Sequence, residues 1–220
     1  MTVQKGNLNI ASLLSEAAKF SATESKYDEP SLYGVTDGKA VGTYLEHKFT
    51  DYLSMRYTYQ PGNSASGIDF PDLAVDVKVT SIRQPQSSCP YRSARQKIYG
   101  LGYNLLIFAY DKTDNAGNRT GRLDIQHTIF VDQTRTADFQ MTRGILQILR
   151  NDGNVDDLVA FMQDKLLPCD EIEARAIAED ILKKPPVEGY LTISNALQWR
   201  LQYSRVIKVA GNVPGVSRIR

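Results

Sequence analysis

The 220-residue sequence predicts an α/β fold: a central mixed β-sheet flanked by helices, with further helices added toward the C-terminal end. Three observations carry this. Apolar residues recur on a helical period in two N-terminal stretches, alternate or run continuously between Ala74 and Val131, and return to a helical period from Asp138 to Lys184. The length suits one domain, 1–220, read as a core of about 38–135, a helical addition of about 138–186 and a basic segment, 189–220.

The first helix is expected over Asn7 to Phe20, with Leu8, Ala11, Leu14 and Ala18 as its apolar face and Asn7 as its N-cap. The second, Ala40 to Tyr57, places Val41, Leu45, Phe49 and Leu53 on one stripe with Glu46 beside it. Turn chemistry in QPGNSASG delivers the chain into IDFPDLAVDVKVT. There Val75, Val77 and Val79 alternate with Ala74, Asp76 and Lys78, a period of two that predicts a strand with Asp76 and Lys78 on one face. A polar segment follows, then an apolar strand from Tyr103 to Asp111, a turn around DNAGNRTG, and an antiparallel return from Leu123 to Val131. Three helices are expected near FQMTRGILQILRN, VDDLVAFMQDKLL and DEIEARAIAEDILKK, the last ended by Pro185 and Pro186.

Composition excludes several function classes. Lys plus Arg number 26 against 25 Asp plus Glu, a net charge of +1, so overall charge points to no polyanion partner and any such signal lies in local distribution. Cys89 and Cys169 stand far apart in no Cys-x-x-Cys pattern, which fits a reducing compartment and excludes a disulfide framework. His47 and His127 stand in no metal-ligand or triad motif. The N-terminus has no apolar run of signal-peptide length and no window suits a membrane span, so a cytoplasmic protein is expected.

The charges around Asp69, Asp76 and Lys78 require an account, because carboxylates gathered in a buried strand repel one another and resist burial. A divalent cation is the usual compensation, and an all-oxygen ligand set suits Mg²⁺, which takes one or two carboxylates and completes its shell with water and phosphate. Asp69, Asp76 and the helix residue Glu46 are the candidate metal ligands, with Lys78 placed to orient the attacking water and stabilise a phosphate in flight. The plain alternative is a solvated Asp–Lys pair. Asp72 is read as a surface or strand-start polar group.

These residues resemble the PD-(D/E)xK nucleases. Asp69 opens the phrase DFPDL and Asp76-Val77-Lys78 follows after seven residues, in wording similar to the MutH mismatch-repair endonuclease and related type II restriction endonucleases; VGTYLE resembles the family's upstream helix phrase and supplies Glu46. The Glu-to-Asp spacing is longer here and the second acid is Asp. The resemblance spans about Ala40 to Ser81 and implies a restriction-endonuclease-like core, catalysis by Glu46, Asp69, Asp76 and Lys78 with Mg²⁺, double-stranded DNA as substrate, a homodimer acting at a short palindrome, and a separate cognate DNA methyltransferase. The function expected is that of a type II restriction endonuclease. A MutH-like strand-nicking repair endonuclease and a non-catalytic DNA-binding module are the alternatives.

Between Val77 and Tyr110 there is no acidic residue, so Arg83, Gln84, Gln86, Ser87, Ser88, Arg92, Arg95, Gln96 and Lys97 are the candidate DNA contacts. The tail from Asn195 also lacks acids and holds Arg200, Arg205, Lys208, Arg218 and Arg220, with Trp199 and Tyr203 interleaved; it reads equally as a phosphate track or as core and surface.

Overall fold

The computed structural model describes residues 5–62, 67–88, 90–193 and 200–220. The helices are α1 (Ile10–Glu24), α2 (Gly38–Ser54), α3 (Ala94–Tyr99), α4 (Phe139–Arg150), α5 (Val155–Asp164), α6 (Glu171–Lys183) and α7 (Ser204–Val209). The strands are β1 (Gly6–Asn7), β2 (Asp28–Glu29), β3 (Tyr57–Thr58), β4 (Val75–Ser81), β5 (Gln86–Ser88), β6 (Asn104–Asn115), β7 (Thr120–Val131), β8 (Thr192–Ile193), β9 (Arg200–Gln202) and β10 (Val216–Arg218). The chain divides into two compact units, Met1–Ser87 with Asn104–Val131 and Val209–Arg220, and Ser88–Tyr103 with Asp132–Lys208. Among the described residues no helix is long and apolar enough to cross a membrane.

The first unit is built on a mixed sheet of order β10-β7-β6-β4, with β2 also paired to β7. Strand β4 runs parallel to β6, and β6 antiparallel to β7, the second pairing as the sequence predicts. The expected stripe of α2 is buried at Val41, Leu45, Phe49 and Leu53, and it packs on β4 through a core containing Phe20, Val75, Val77 and Phe108. Asp37 caps this helix, its Oδ1 accepting from Lys39 N at 3.0 Å.

Helix α1 begins later than the sequence suggests. Gly6 and Asn7 pair in parallel with Tyr57 and Thr58, and Asn9 forms the cap instead: its Oδ1 accepts from Ser12 N while Ser12 Oγ accepts from Asn9 N, each at 2.9 Å. The buried face therefore runs through Leu13, Ala17 and Phe20, while Ala11 is exposed. Strand β10, which the sequence pattern did not signal, adds antiparallel to β7.

In the second unit α4, α5 and α6 enclose Met141, Ile145, Leu158, Met162, Ile177 and Ile181, joined by Ala94 and Ile98 of α3. Asp138, Asn154 and Asp170 cap the three longer helices, and α6 stops before the Pro185-Pro186 pair. Strands β8 and β9 pair antiparallel.

Candidate active site

The segment from Asp69 to Asp76 folds back on itself. Phe70 and Val75 exchange both backbone hydrogen bonds, Phe70 N donating to Val75 O at 2.9 Å and Val75 N to Phe70 O at 3.1 Å. Between them Pro71–Leu73 forms a 3-10 turn, for which the fixed φ of Pro71 is suited, and Ala74 closes it in the left-handed conformation at φ 49°, ψ 49°. In β4 the even-numbered residues face β6, as Asn104 N donating to Ala74 O and Ile82 N to Tyr110 O show at either end, so Val77 N–H points away from that neighbour. Asp69 Oδ2 accepts this N–H at 2.7 Å, which puts the Asp69 carboxylate against the strand beside Asp76.

Ala74 is the hinge of this arrangement, and a left-handed non-glycine residue costs about 1–2 kcal/mol. Ala74→Gly is expected to leave the melting temperature near native, whereas Ala74→Val, β-branched at a positive φ, lowers it. Thermal melts on the two variants check this.

Asp76 and Lys78 share one face of β4, as the strand period predicts. Lys78 Nζ lies 2.6 Å from the buried Asp76 Oδ2, a close ion pair whose angles fall short of a well-formed hydrogen bond. Burial pushes the Asp76 carboxyl up to about 7; Asp69 pushes the same way and Lys78 opposes. Glu46 is only partly exposed on α2, and burial followed by the charge of Asp69 raises it to about 7, with Lys78 again opposing. Each acid thus feels another acid and the one lysine, which brings all four predicted residues into one electrostatic group. Among the described residues no three His, Cys, Asp or Glu side chains close into a preformed metal cage. Asp72, by contrast, is exposed and lines a separate cleft of about 340 Å³ with Leu8, Tyr59 and Phe70.

Helix α2 is fixed by a polar network that the sequence pattern did not reveal. Tyr44 Oη donates to Glu24 Oε1 at 3.0 Å and to Glu29 Oε2 at 3.1 Å, and Lys48 Nζ donates to Glu24 Oε1 at 3.0 Å while lying 3.6 Å above the Tyr27 ring. Tyr44 and Lys48 are four apart and so share a helix face, with Glu46 between them in sequence pointing elsewhere. The i, i+4 spacing was the available signal; Glu24 and Glu29 gave none because they come from other segments.

The predicted DNA contacts are divided between the two units. In the first unit Arg83 Nε pairs with Asp111 Oδ1 at 2.9 Å, Gln84 is exposed, and Gln86 and Ser87 are partly exposed. In the second, Ser88 and Arg92 are exposed, Arg95 Nη1 pairs with Asp180 Oδ2 at 2.7 Å, and Gln96 Oε1 accepts from Arg92 N at 2.6 Å. Lys97 is only 3% exposed, which corrects its reading as a DNA contact: α3 turns that face into the helical core. In the tail, Tyr203 is fully buried, Arg218 Nη1 meets His127 Nδ1 at 2.7 Å, and Arg220 Nη1 meets Ser25 Oγ at 3.1 Å, which favours a structural role for these positions. Cys89, Asn195 and Trp199 lie outside the described residues.

Comparison with known proteins bears on the chemistry. A family model described as the type II restriction enzyme NspV matches residues 7–218, a range holding Glu46, Asp69, Asp76 and Lys78. The type II restriction enzyme NspV of Nostoc sp. (strain ATCC 29411 / PCC 7524) is 68% identical to this chain over 209 residues, 95% of either protein. No solved structure matches.

Proposed function

From the premise that this chain belongs to the NspV family of type II restriction enzymes, we propose that it hydrolyses both strands of duplex DNA at a short palindromic site with Mg²⁺, using Glu46, Asp69, Asp76 and Lys78. One observation carries the assignment of residues: Lys78 is ion-paired with the buried Asp76, Asp69 is anchored beside it on Val77 N, and the charges of Asp69 and Lys78 both act on Glu46.

That donor set fits the ion. It is all oxygen, and it leaves two carboxyls raised to about 7 that a cation relieves. Asp69 and Asp76 would hold Mg²⁺, with Glu46 beside it; when bound, the ion neutralises charge at the scissile phosphate. Lys78 Nζ, kept in place by Asp76, orients the attacking water and donates to the phosphate oxygen as negative charge builds there. Glu46, beside the ion, would hold the attacking water in place.

A mixed sheet with α2 packed on the strand that carries Asp76 and anchors Asp69 supports a PD-(D/E)xK arrangement and a restriction-endonuclease-like core. Two-fold cleavage of a palindrome further favours a homodimer, and a cell that makes such an enzyme needs a cognate methyltransferase to shield its own DNA.

The test is digestion of supercoiled plasmid. Linear product with Mg²⁺, none with EDTA, and a loss of ~10³-fold or more in Lys78→Ala are expected. A product nicked in one strand only would favour the repair-type alternative, and unchanged cutting by Lys78→Ala would remove the residue assignment.

A further inference from the structure

The second unit carries a cationic aromatic patch that neither the sequence motif nor the acidic site accounts for. Phe139 and Tyr190 stack with ring centroids 6.1 Å apart and planes inclined at 32°. The Arg205 guanidinium lies 3.6 Å from the Phe139 ring centre and that of Arg143 lies 5.5 Å from it, while Arg135 lies 5.8 Å from the Tyr190 ring centre. Arg143 is exposed and the other four side chains are partly so.

What separates these arginines from the others of the unit without a salt bridge, such as Arg92 and Arg150, is that they gather on two neighbouring aromatic rings. Arg95 pairs with Asp180 and Arg175 with Asp156, but among the described residues Arg135, Arg143 and Arg205 form no salt bridge. Arg205 Nε is buried with no hydrogen-bond partner, and Arg135 Nη1 donates to a backbone oxygen, that of Glu188, at 3.0 Å. The neighbouring carboxylate of Asp138 is 3% exposed and consumed inside the fold, accepting from Met141 N at 2.8 Å and Ile193 N at 2.9 Å. Glu188 bonds the Tyr190 hydroxyl and offsets one of the three charges. A net positive patch remains.

A guanidinium laid on an aromatic face is pre-oriented, and the N–H groups it does not spend inside the fold suit contact with a phosphate. Resting on the restriction-enzyme reading, we propose that Arg135, Arg143 and Arg205, braced by Phe139 and Tyr190, contact backbone phosphates of the DNA duplex without reading its sequence.

The experiment is fluorescence anisotropy with a labelled duplex in EDTA over a salt series, using the full chain. Arg143→Ala and Arg205→Ala are each expected to weaken binding roughly 3–10-fold on duplexes of any sequence and to lower the slope of log K against log salt by about 0.9 for each phosphate no longer neutralised, while Arg143→Lys keeps the slope. Arg143 is exposed, so its variants decide the matter if Arg205→Ala fails to fold. Unchanged affinity and slope in folded variants overturns the inference, as does weakening confined to one DNA sequence. If the native chain cuts DNA and the variants bind as it does, this inference alone falls; if the native chain neither binds nor cuts duplex, the restriction-enzyme reading falls with it.

Discussion

Asp76→Asn is expected to reduce DNA cleavage by ~10³-fold or more and, in EDTA at pH 8, to raise the melting temperature. The native carboxyl has an ordinary value of 3.8 and is pushed up to about 7, so the folded chain holds its proton more tightly than the unfolded one. Its contribution to stability is therefore fully present below the ordinary value, is lost as pH rises toward 7, and is level above that. The raised value already includes the attraction of Lys78, so a neutral isostere relieves more than it forfeits. The gain above pH 7 should be on the order of 2 kcal/mol, a melting shift of about 4–8 °C for a chain of this size. Melts at pH 4 and pH 8 check the sign: variant and native converge at the lower value. Added Mg²⁺ should raise the native melting temperature and leave the variant's unmoved.

Phe49→Ala is expected to cost about 3–5 kcal/mol, the largest stability loss among the substitutions considered. Phe49 is fully buried, with its ring centroid 5.0 Å from that of Phe20, 5.1 Å from Phe108 and 6.5 Å from Phe70. It joins α1, α2, β6 and the residue that follows Asp69. A cavity there loosens the helix one turn from Glu46, so cleavage should fall along with the denaturation midpoint. Phe49→Leu keeps most of the volume and should lose under half as much. Urea titration of both variants, read beside plasmid cleavage, tests the claim; equal midpoints would sink it.

The sequence made some of this legible. Valine alternation in β4 and the Val41-Leu45-Phe49-Leu53 stripe are strong local periods, and local periods survive tertiary packing. They were enough to put Asp76 and Lys78 on one face; Glu46 was tied to them by the resemblance of VGTYLE to a nuclease helix phrase. Helix α1 starts later than its pattern predicts because a distant strand, Tyr57–Thr58, takes up Gly6 and Asn7 and leaves the cap to Asn9. Strand β10 carries only three residues and gains its stability from pairing with β7, which no local pattern reveals. Lys97 looked like a surface cation because charge is usually exposed; helix rotation alone hid it. The arginine–aromatic patch draws on residues 135, 139, 143, 190 and 205, too scattered for any window to join.

The paired backbone bonds of Phe70 and Val75 make the distance between the two aspartates a gauge counted in residues. Side chains on the turn, such as exposed Asp72, are free to vary, while adding or deleting a single position would flip one acid to the wrong side of the strand. Length is what this short span cannot change, however its exposed side chains vary.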